Sequence, residues 1–363
     1  MLLVSFSLVV SLMAYAPASS RCGHHAVERL LGDLFCDAEL IGEGGMGICF
    51  KCVDGSGASK AVKVSKDPTA DAMEYEFNIL DELRHPNITR VYRYLAIGDA
   101  RGYEMDFMAN GDLHTTIIRR GRCPGRLTHT ELACWFNGVL SGLSYMHAMH
   151  ILHRDVKPTN ILFDKGWRAI LGDLGLAVRV TPLMDRAPRT YCGTPGFMAP
   201  EVVAQEAYGT PADVWSMNRV LHSCLTGDPS GFTICDIDKD VHLLQRAWIG
   251  VLLQHSGCFI PSERARADQL CKLIGTSREG DVGVAPLDAH GTSQRMRADG
   301  RGSLLRKGRV AERHAKRNKR AASVDVEAGR VYGRARNAYR RIRRKATPRG
   351  IQEGSRETLV CHC

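Results

Sequence analysis

His153-Arg154-Asp155-Val156-Lys157-Pro158-Thr159-Asn160, followed thirteen residues after Asn160 by Asp173-Leu174-Gly175, sets a base, a cation and two oxygen ligands for a metal in one short run. Phosphoryl transfer needs that set of groups. A hydroxyl attacking a phosphate requires a carboxylate such as Asp155 to orient it and take its proton, while Asn160 and Asp173 can hold Mg²⁺ against phosphate oxygens. Lys157 can neutralise the group in transit. A His-Arg-Asp tripeptide alone carries little information, but the full run with Asp-Leu-Gly at this spacing seldom arises by chance.

Upstream, Ile41-Gly42-Glu43-Gly44-Gly45-Met46-Gly47-Ile48-Cys49 is a glycine-rich loop between two apolar runs. Such glycines let a backbone lie close over phosphates, although glycine clusters more often mark plain turns. Its position matters more than its composition, because Lys60-Ala61-Val62-Lys63-Val64 follows and reads as a strand that aims Lys63 at phosphates. Together these stretches resemble the eukaryotic protein kinase family, serine/threonine type. The resemblance implies an α+β, bilobal fold, with a small β-rich N-lobe and a larger helical C-lobe. It also implies ATP and Mg²⁺ as cofactors, and transfer of the γ-phosphate of ATP to serine or threonine hydroxyls of protein substrates. In that scheme Asp155 is the base, Lys157 meets the transferring phosphoryl group, and Asn160 and Asp173 hold the metal. Lys63 meets the α- and β-phosphates, with Glu76 as its partner and Glu74 as the competing carboxylate. The nucleotide would lie against Ile41, Gly42, Glu43, Gly44, Gly45, Met46, Gly47, Cys49, Ala61 and Leu162, with the backbone near Asp106 and Met108 facing adenine.

The helix that carries Glu76 is expected to start at Asp67 as N-cap with Pro68 in its first turn. Only thirteen residues separate Lys63 from Glu76, so the front of this helix should be short. Met105-Asp106-Phe107-Met108-Ala109-Asn110-Gly111-Asp112-Leu113 reads either as the hinge between lobes, with Met105 as gatekeeper, or as a plain strand ending in an Asn-Gly turn. Thr128-His129-Thr130-Glu131 is a capping box that opens a helix. Its apolar residues Leu132, Trp135, Phe136, Val139, Leu140, Leu143 and Met146 recur at three- and four-residue steps, a core stripe without chemistry.

From Asp173 to Ala199-Pro200-Glu201 the chain is similar to a kinase activation segment, with Thr190 at the phosphosite. Arg154 would pair with a phosphate there, and the new charge-assisted contacts would order the segment. Thr194 is expected to bond near Asp155 and Lys157, and Arg264 to partner Glu201. Asp213-Val214-Trp215-Ser216 resembles the start of a central C-lobe helix. The likeness runs from about Leu34 to about Gly275, with departures at Leu174, Cys49 and Asn218. Asp112 has two roles open to it, a ribose contact or a carboxylate that selects basic substrates. The latter would make Ser323 and Thr347, which follow basic runs, targets of the chain itself.

The 363 residues, 44% of them hydrophobic, suffice for a core divided between two lobes. Charge is uneven: residues 276–363 hold 22 Lys and Arg against 9 Asp and Glu, a net of +13, so the remainder holds 27 against 30, a net of −3. That segment is poor in large apolar residues and is read as a disordered basic tail. Arg340-Arg341-Ile342-Arg343-Arg344-Lys345 is either a solvated run or a contact for nucleic acid or an acidic partner. Residues 1–18 are apolar through Ala16 and too short to make a stable transmembrane anchor. They leave two settings open, secretion through a cleaved leader or a cytoplasmic or nuclear protein, and the absence of a basic n-region together with Pro17 beside the cut favours the second. The 13 cysteines do not fix the compartment. Cys134, Cys224 and Cys271 read as small buried residues, and Cys49 with Cys52, though at zinc-like spacing, as residues of adjacent strands beside the glycine-rich loop without a second ligand pair. Two rival classes stand beside the kinase reading: a scaffold with the same fold and no turnover, and a nucleic-acid binder acting through its tail.

Overall fold

Alternation of apolar and polar residues in Ile48-Cys49-Phe50-Lys51-Cys52 gives a strand with one buried face, and Ala61-Val62-Lys63-Val64 is buried on both faces. The computed structural model describes residues 27, 31–32, 34–44, 47–65, 71–97, 100–120, 127–180, 189–232 and 247–279. Five antiparallel strands form its first sheet: β1 (Asp37–Glu43), β2 (Gly47–Val53), β3 (Ser59–Ser65), β4 (Val91–Ile97) and β5 (Ala100–Asp106), in the order β1-β2-β3-β5-β4. Helix α1 (Ala72–Glu82) follows β3 and lies against β4 and β5. One face of the sheet packs Phe50, Cys52, Val62, Val64 and Leu95 around Leu31 and Phe35. Leu31 is fully buried there, so the folded unit starts upstream of Leu34.

The second lobe is helical. It holds α2 (Leu113–Arg120), α3 (His129–Ala148), the short strands β6 (Ile151–Leu152), β7 (Ile161–Phe163), β8 (Ala169–Leu171) and β9 (Val178–Arg179), and then α4 (Pro200–Val203), α5 (Pro211–Thr226), α6 (Ala247–Ser256) and α7 (Ala267–Glu279). The capping box of α3 closes in both directions, Glu131 N–H on the Thr128 hydroxyl at 3.2 Å and Thr128 N–H on the Glu131 carboxylate at 2.9 Å. Every residue of the expected α3 stripe is buried. These residues form the centre of the larger core, joined by Ile151, Phe163, Val220 and Leu270.

Several expectations change. Cys134 is exposed on the outer side of α3 rather than buried, because it lies off the stripe, while Cys224 is buried and Cys271 half-buried. Cys49 and Cys52 both lie on β2. Helix α1 begins at Ala72, and the expected cap at Asp67 and Pro68 lies outside the described residues. Helix α7 runs past Gly275 to Glu279. Residues 1–18, most of the tail, Ser323, Thr347, Gly45 and Met46 also lie outside the described residues. Among the described residues no helix is long and apolar enough to cross a membrane.

Candidate active site

Lys63 enters the cleft from β3, opposite Cys49 in the β2 register. Its Nζ lies 2.8 Å from both oxygens of Glu76 on α1 and 2.8 Å from Oδ1 of Asp173. Glu76 is 0% exposed and Glu74 faces solvent, which decides between the two carboxylates. The short front of α1 does not prevent the pair. Burial works against the Lys63 charge, but the neighbouring Tyr103 together with the carboxylates of Glu76 and Asp173 outweighs it and holds the proton well above the ordinary lysine range. For Glu76, burial dominates and pushes its carboxyl up against the pull of Lys63. Burial also opposes ionisation of Asp173, yet Lys63, with smaller help from His153 and Lys157, keeps that carboxyl below the usual range.

The catalytic-type loop is fixed from below by α5. Asp213, in the first turn of α5, accepts the N–H groups of His153 and Arg154 at 3.0 and 2.8 Å and bonds His147 Nε2 at 2.8 Å. Three partners for one buried carboxylate hold the loop in a conformation with Arg154 at φ +67°. Asp173 sits at φ +56° on the facing strand end. Asp155 is then set between two donors: Lys157 Nζ lies 2.7 Å from Oδ2 and the Thr194 hydroxyl donates to Oδ1 at 2.7 Å. Lys157 also donates to Thr194 Oγ1 at 2.8 Å, closing the triangle the sequence anticipates. Asn160 Nδ2 donates to the Asp155 carbonyl at 2.9 Å, and the Asn160 carbonyl accepts Gly172 N–H at 2.9 Å, which ties the two expected metal ligands to one frame.

Around the cleft, β1 and β2 pair across Gly42 and Glu43 with a bulge after Leu40, and Gly44 N–H reaches the Gly47 carbonyl at 2.9 Å. A Cβ on Gly47 would stand 2.7 Å from the Val64 carbonyl and 3.3 Å from Lys63 Cγ, so only glycine lets β2 lie this close to the lysine stem. Ile41 is exposed at the lip. Burial pushes the Cys49 thiol up to about 11, with Lys63 pulling the other way, which places Cys49 beside the Lys63–Asp173 pair as a neutral group. Ala61 is buried on β3 opposite Met105, and Leu162 on β7 bridges to Asp112. Asp106 ends β5 with its N–H on the Arg90 carbonyl at 3.1 Å, and the Met108 carbonyl accepts Gly111 N–H at 3.1 Å, so this stretch is both a strand end and a turn.

Three findings lie outside the sequence reading. Tyr103 on β5 is fully buried and hydrogen-bonds Glu76, an aromatic that a strand pattern reads as core. Asp112 caps α2, its Oδ1 accepting Thr115 N–H at 2.5 Å, a third role beside the two left open for it. Among the described residues Arg154 is joined to Thr190 through a third residue: Arg154 Nη1 donates to Tyr208 Oη at 3.4 Å, and Tyr208 donates to the Thr190 carbonyl at 3.1 Å. Leu174 is fully buried, and Arg264 forms a two-pronged pair with Glu201 at 2.5 and 2.8 Å.

Similar proteins point the same way. The chain is 34% identical over 206 residues to the inactive serine/threonine-protein kinase PLK5 of Mus musculus, covering 54% of this chain and 34% of that protein. It is 28% identical over 210 residues to the serine/threonine-protein kinase PLK2 of Mus musculus, with 56% and 30% covered. To the CBL-interacting protein kinase 8 of Oryza sativa subsp. japonica it is 32% identical over 215 residues, with 58% and 46% covered. The chain therefore spans about a third to a half of the length of these relatives. The family model of the protein kinase domain matches residues 35–247, more than half of the 363. By that match, and by the two mouse relatives named serine/threonine-protein kinases, the chain belongs to the eukaryotic serine/threonine protein kinase family.

Proposed function

We propose that this chain transfers the γ-phosphate of ATP to serine or threonine hydroxyls of proteins. The observation that carries the reading is Asp155, 8% exposed, with its two carboxylate oxygens held by Lys157 and Thr194 at 2.7 Å each. A carboxylate so oriented can accept the proton of an incoming hydroxyl as the oxygen turns nucleophilic. Lys157, beside it, keeps a positive charge where the phosphoryl group passes. Lys63, clamped by Glu76, is positioned to bind phosphate oxygens, and Gly47 lets the loop backbone close over it. Asn160 and Asp173 offer only oxygen donors, and Asp173 stays ionised, which fits a hard divalent cation. Among the described residues no three His, Cys, Asp or Glu converge, so such a cation would keep water or substrate ligands, as Mg²⁺ does. Mg²⁺ held there would supply charge neutralisation to phosphate oxygens.

The assignments of Ile41 to Gly47, Cys49, Ala61, Asp106, Met108 and Leu162 to the nucleotide, and of Thr190 and Arg154 to regulation, belong to this proposal. A cytoplasmic or nuclear setting belongs to it through the need for ATP. A second reading, a scaffold without turnover, draws support from the mouse relative named inactive. Against it stand Lys63, Asp155, Asn160 and Asp173, all present and mutually supported. One experiment separates the two: turnover with radiolabelled ATP and a peptide array. Wild type should label serine or threonine, and Asp155→Asn should lose at least about 10³-fold in kcat while nucleotide affinity stays within about twofold. Unlabelled peptides with wild type would favour the scaffold, and equal turnover in both proteins would remove Asp155 as the base.

A further inference from the structure

Behind the expected hinge, on the surface lined by Phe107 and Ala109, lies an open groove of about 950 Å³ that shares Asp106 and Met108 with the hinge but holds none of Lys63, Glu76, Asp155, Lys157, Asn160 or Asp173. Its walls come from both lobes. The N-lobe gives Lys60, Arg84 and Arg90, the β7–β8 turn gives Lys165 and Arg168, and only two carboxylates, Asp106 and Asp164, answer these five cations. Arg84 is spent on Asp81 at 2.9 Å and Arg168 on Asp164 at 3.4 Å, while Asp106 accepts the Tyr92 hydroxyl at 2.5 Å. Lys60 lies 3.5 Å over the ring of Tyr92, and among the described residues no carboxylate pairs with Lys60, Arg90 or Lys165. His85 does not add charge, since burial lowers its pKa. Between the cations the floor is apolar, built from Ile88, Ile170 and the Phe107 ring.

We propose that this groove docks an acidic peptide segment of a partner protein, one that alternates carboxylates with apolar side chains. Three cations without an ion pair among the described residues, spread over two lobes, attract a multiply charged chain, and the apolar floor between them takes the intervening side chains. The surplus is local, because residues 1–275 as a whole carry a net −3. Nucleic acid fits less well: Asp106 and Asp164 would face its phosphates, and one phenylalanine makes no stacking platform. The chain's own tail, at net +13, is repelled rather than attracted. An occupant that touches Lys60 and Lys165 together would hold the lobes at one separation, so docking has a route to the cleft on the other side of the hinge.

The test uses the full chain and two probes, a short fluorescein-labelled peptide alternating Glu and Leu, and a labelled oligouridine, followed by anisotropy. The double variant Arg90→Glu and Lys165→Glu, both exposed and outside the catalytic set, should weaken the peptide by at least about tenfold, with circular dichroism showing the fold intact. A Gln-for-Glu peptide should bind as poorly to wild type. Unchanged peptide affinity in the variant would overturn the proposal and assign the binding to the basic tail. Tighter binding of oligouridine, weakened by the same substitutions, would overturn it in favour of a nucleic-acid groove. If the double variant unfolds, photo-crosslinking of the Glu-Leu peptide to wild type decides: adducts on 83–90 and 164–168 support the site, and adducts confined to 276–363 remove it.

Discussion

Tyr103 shows how much one buried hydroxyl can carry. It hydrogen-bonds Glu76 inside the sheet, where burial already disfavours the Glu76 charge, so Tyr103→Phe leaves a buried carboxylate one donor short. Such a loss costs about 1–3 kcal/mol. The expected outcome is a drop of that size in urea unfolding and a raised KM for ATP, with the chemistry at Asp155 unaltered. His222 offers a second test at this scale. Burial, with help from the Arg219 charge, lowers its pKa from 6.5 to about 4. A histidine that resists protonation when folded and accepts it when unfolded removes stability as pH falls from 6.5 towards 4, and adds no slope above that window. Replacing it by Gln should therefore flatten the pH dependence in that window by up to about 3 kcal/mol, measured as unfolding free energy at pH 7 and pH 4.5. An equal slope in both proteins would place the proton elsewhere. Lys63, Asp155, Asn160 and Asp173 were legible in the sequence because their spacing is dictated by the phosphate they would serve. Tyr103 was not, since nothing in a strand pattern distinguishes an aromatic that packs from one that also donates.

Elements in this molecule are held together by a few contacts between residues far apart in the chain. A Cβ on Gly102 of β5 would meet the Lys63 carbonyl at 2.5 Å and Val64 Cα at 3.3 Å, backbone atoms that cannot swing aside. Gly102→Ala should push β5 off β3, cost about 1–3 kcal/mol and misplace the lysine. Denaturant unfolding and ATP KM should both report it, whereas a change in neither would mean that the sheet yields without strain. In the second lobe Arg264 and Glu201 are 0% and 1% exposed and joined by two hydrogen bonds. Removing one member strands the other, so Arg264→Leu should cost about 3–5 kcal/mol in the same unfolding measurement. Asn218, where the family resemblance implies glycine, donates to the Leu253 carbonyl at 3.2 Å and the Ser256 hydroxyl at 2.9 Å, fastening α5 to α6. The departure adds a tie without crowding the site. Helix α3 was readable from capping and periodicity and α5 from the resemblance of Asp213-Val214-Trp215-Ser216 to the start of a C-lobe helix, but the start of α1 was not, since Asp67-Pro68 is as good a cap as sequence can offer.

At the scale of the whole molecule, Leu270 and Ile274 of α7 are buried with the α3 stripe in the larger core. A chain shortened after Glu279 should keep its unfolding midpoint within about 3 °C, while one shortened after Arg266 loses both side chains at about 1.5–3 kcal/mol each and should melt far lower. Calorimetry on the two shortened chains checks this, and a large shift on the first cut would show that residues beyond Glu279 join the core. What the sequence determined by itself was the set of polar groups that the cleft gathers and helix α3, because each depends on short spacings, caps and periodicity along the chain, and the two-lobe class followed from the family resemblance those groups carry. Tertiary structure decided what depends on approach through space: Glu76 over Glu74 for Lys63, Tyr208 between Arg154 and Thr190, and a cationic groove behind the hinge. The Lys63–Glu76 pair spans 13 positions, Tyr208 lies 18 and 54 positions from Thr190 and Arg154, and the groove joins residues more than 100 apart, and one-dimensional pattern holds no record of which buried faces meet.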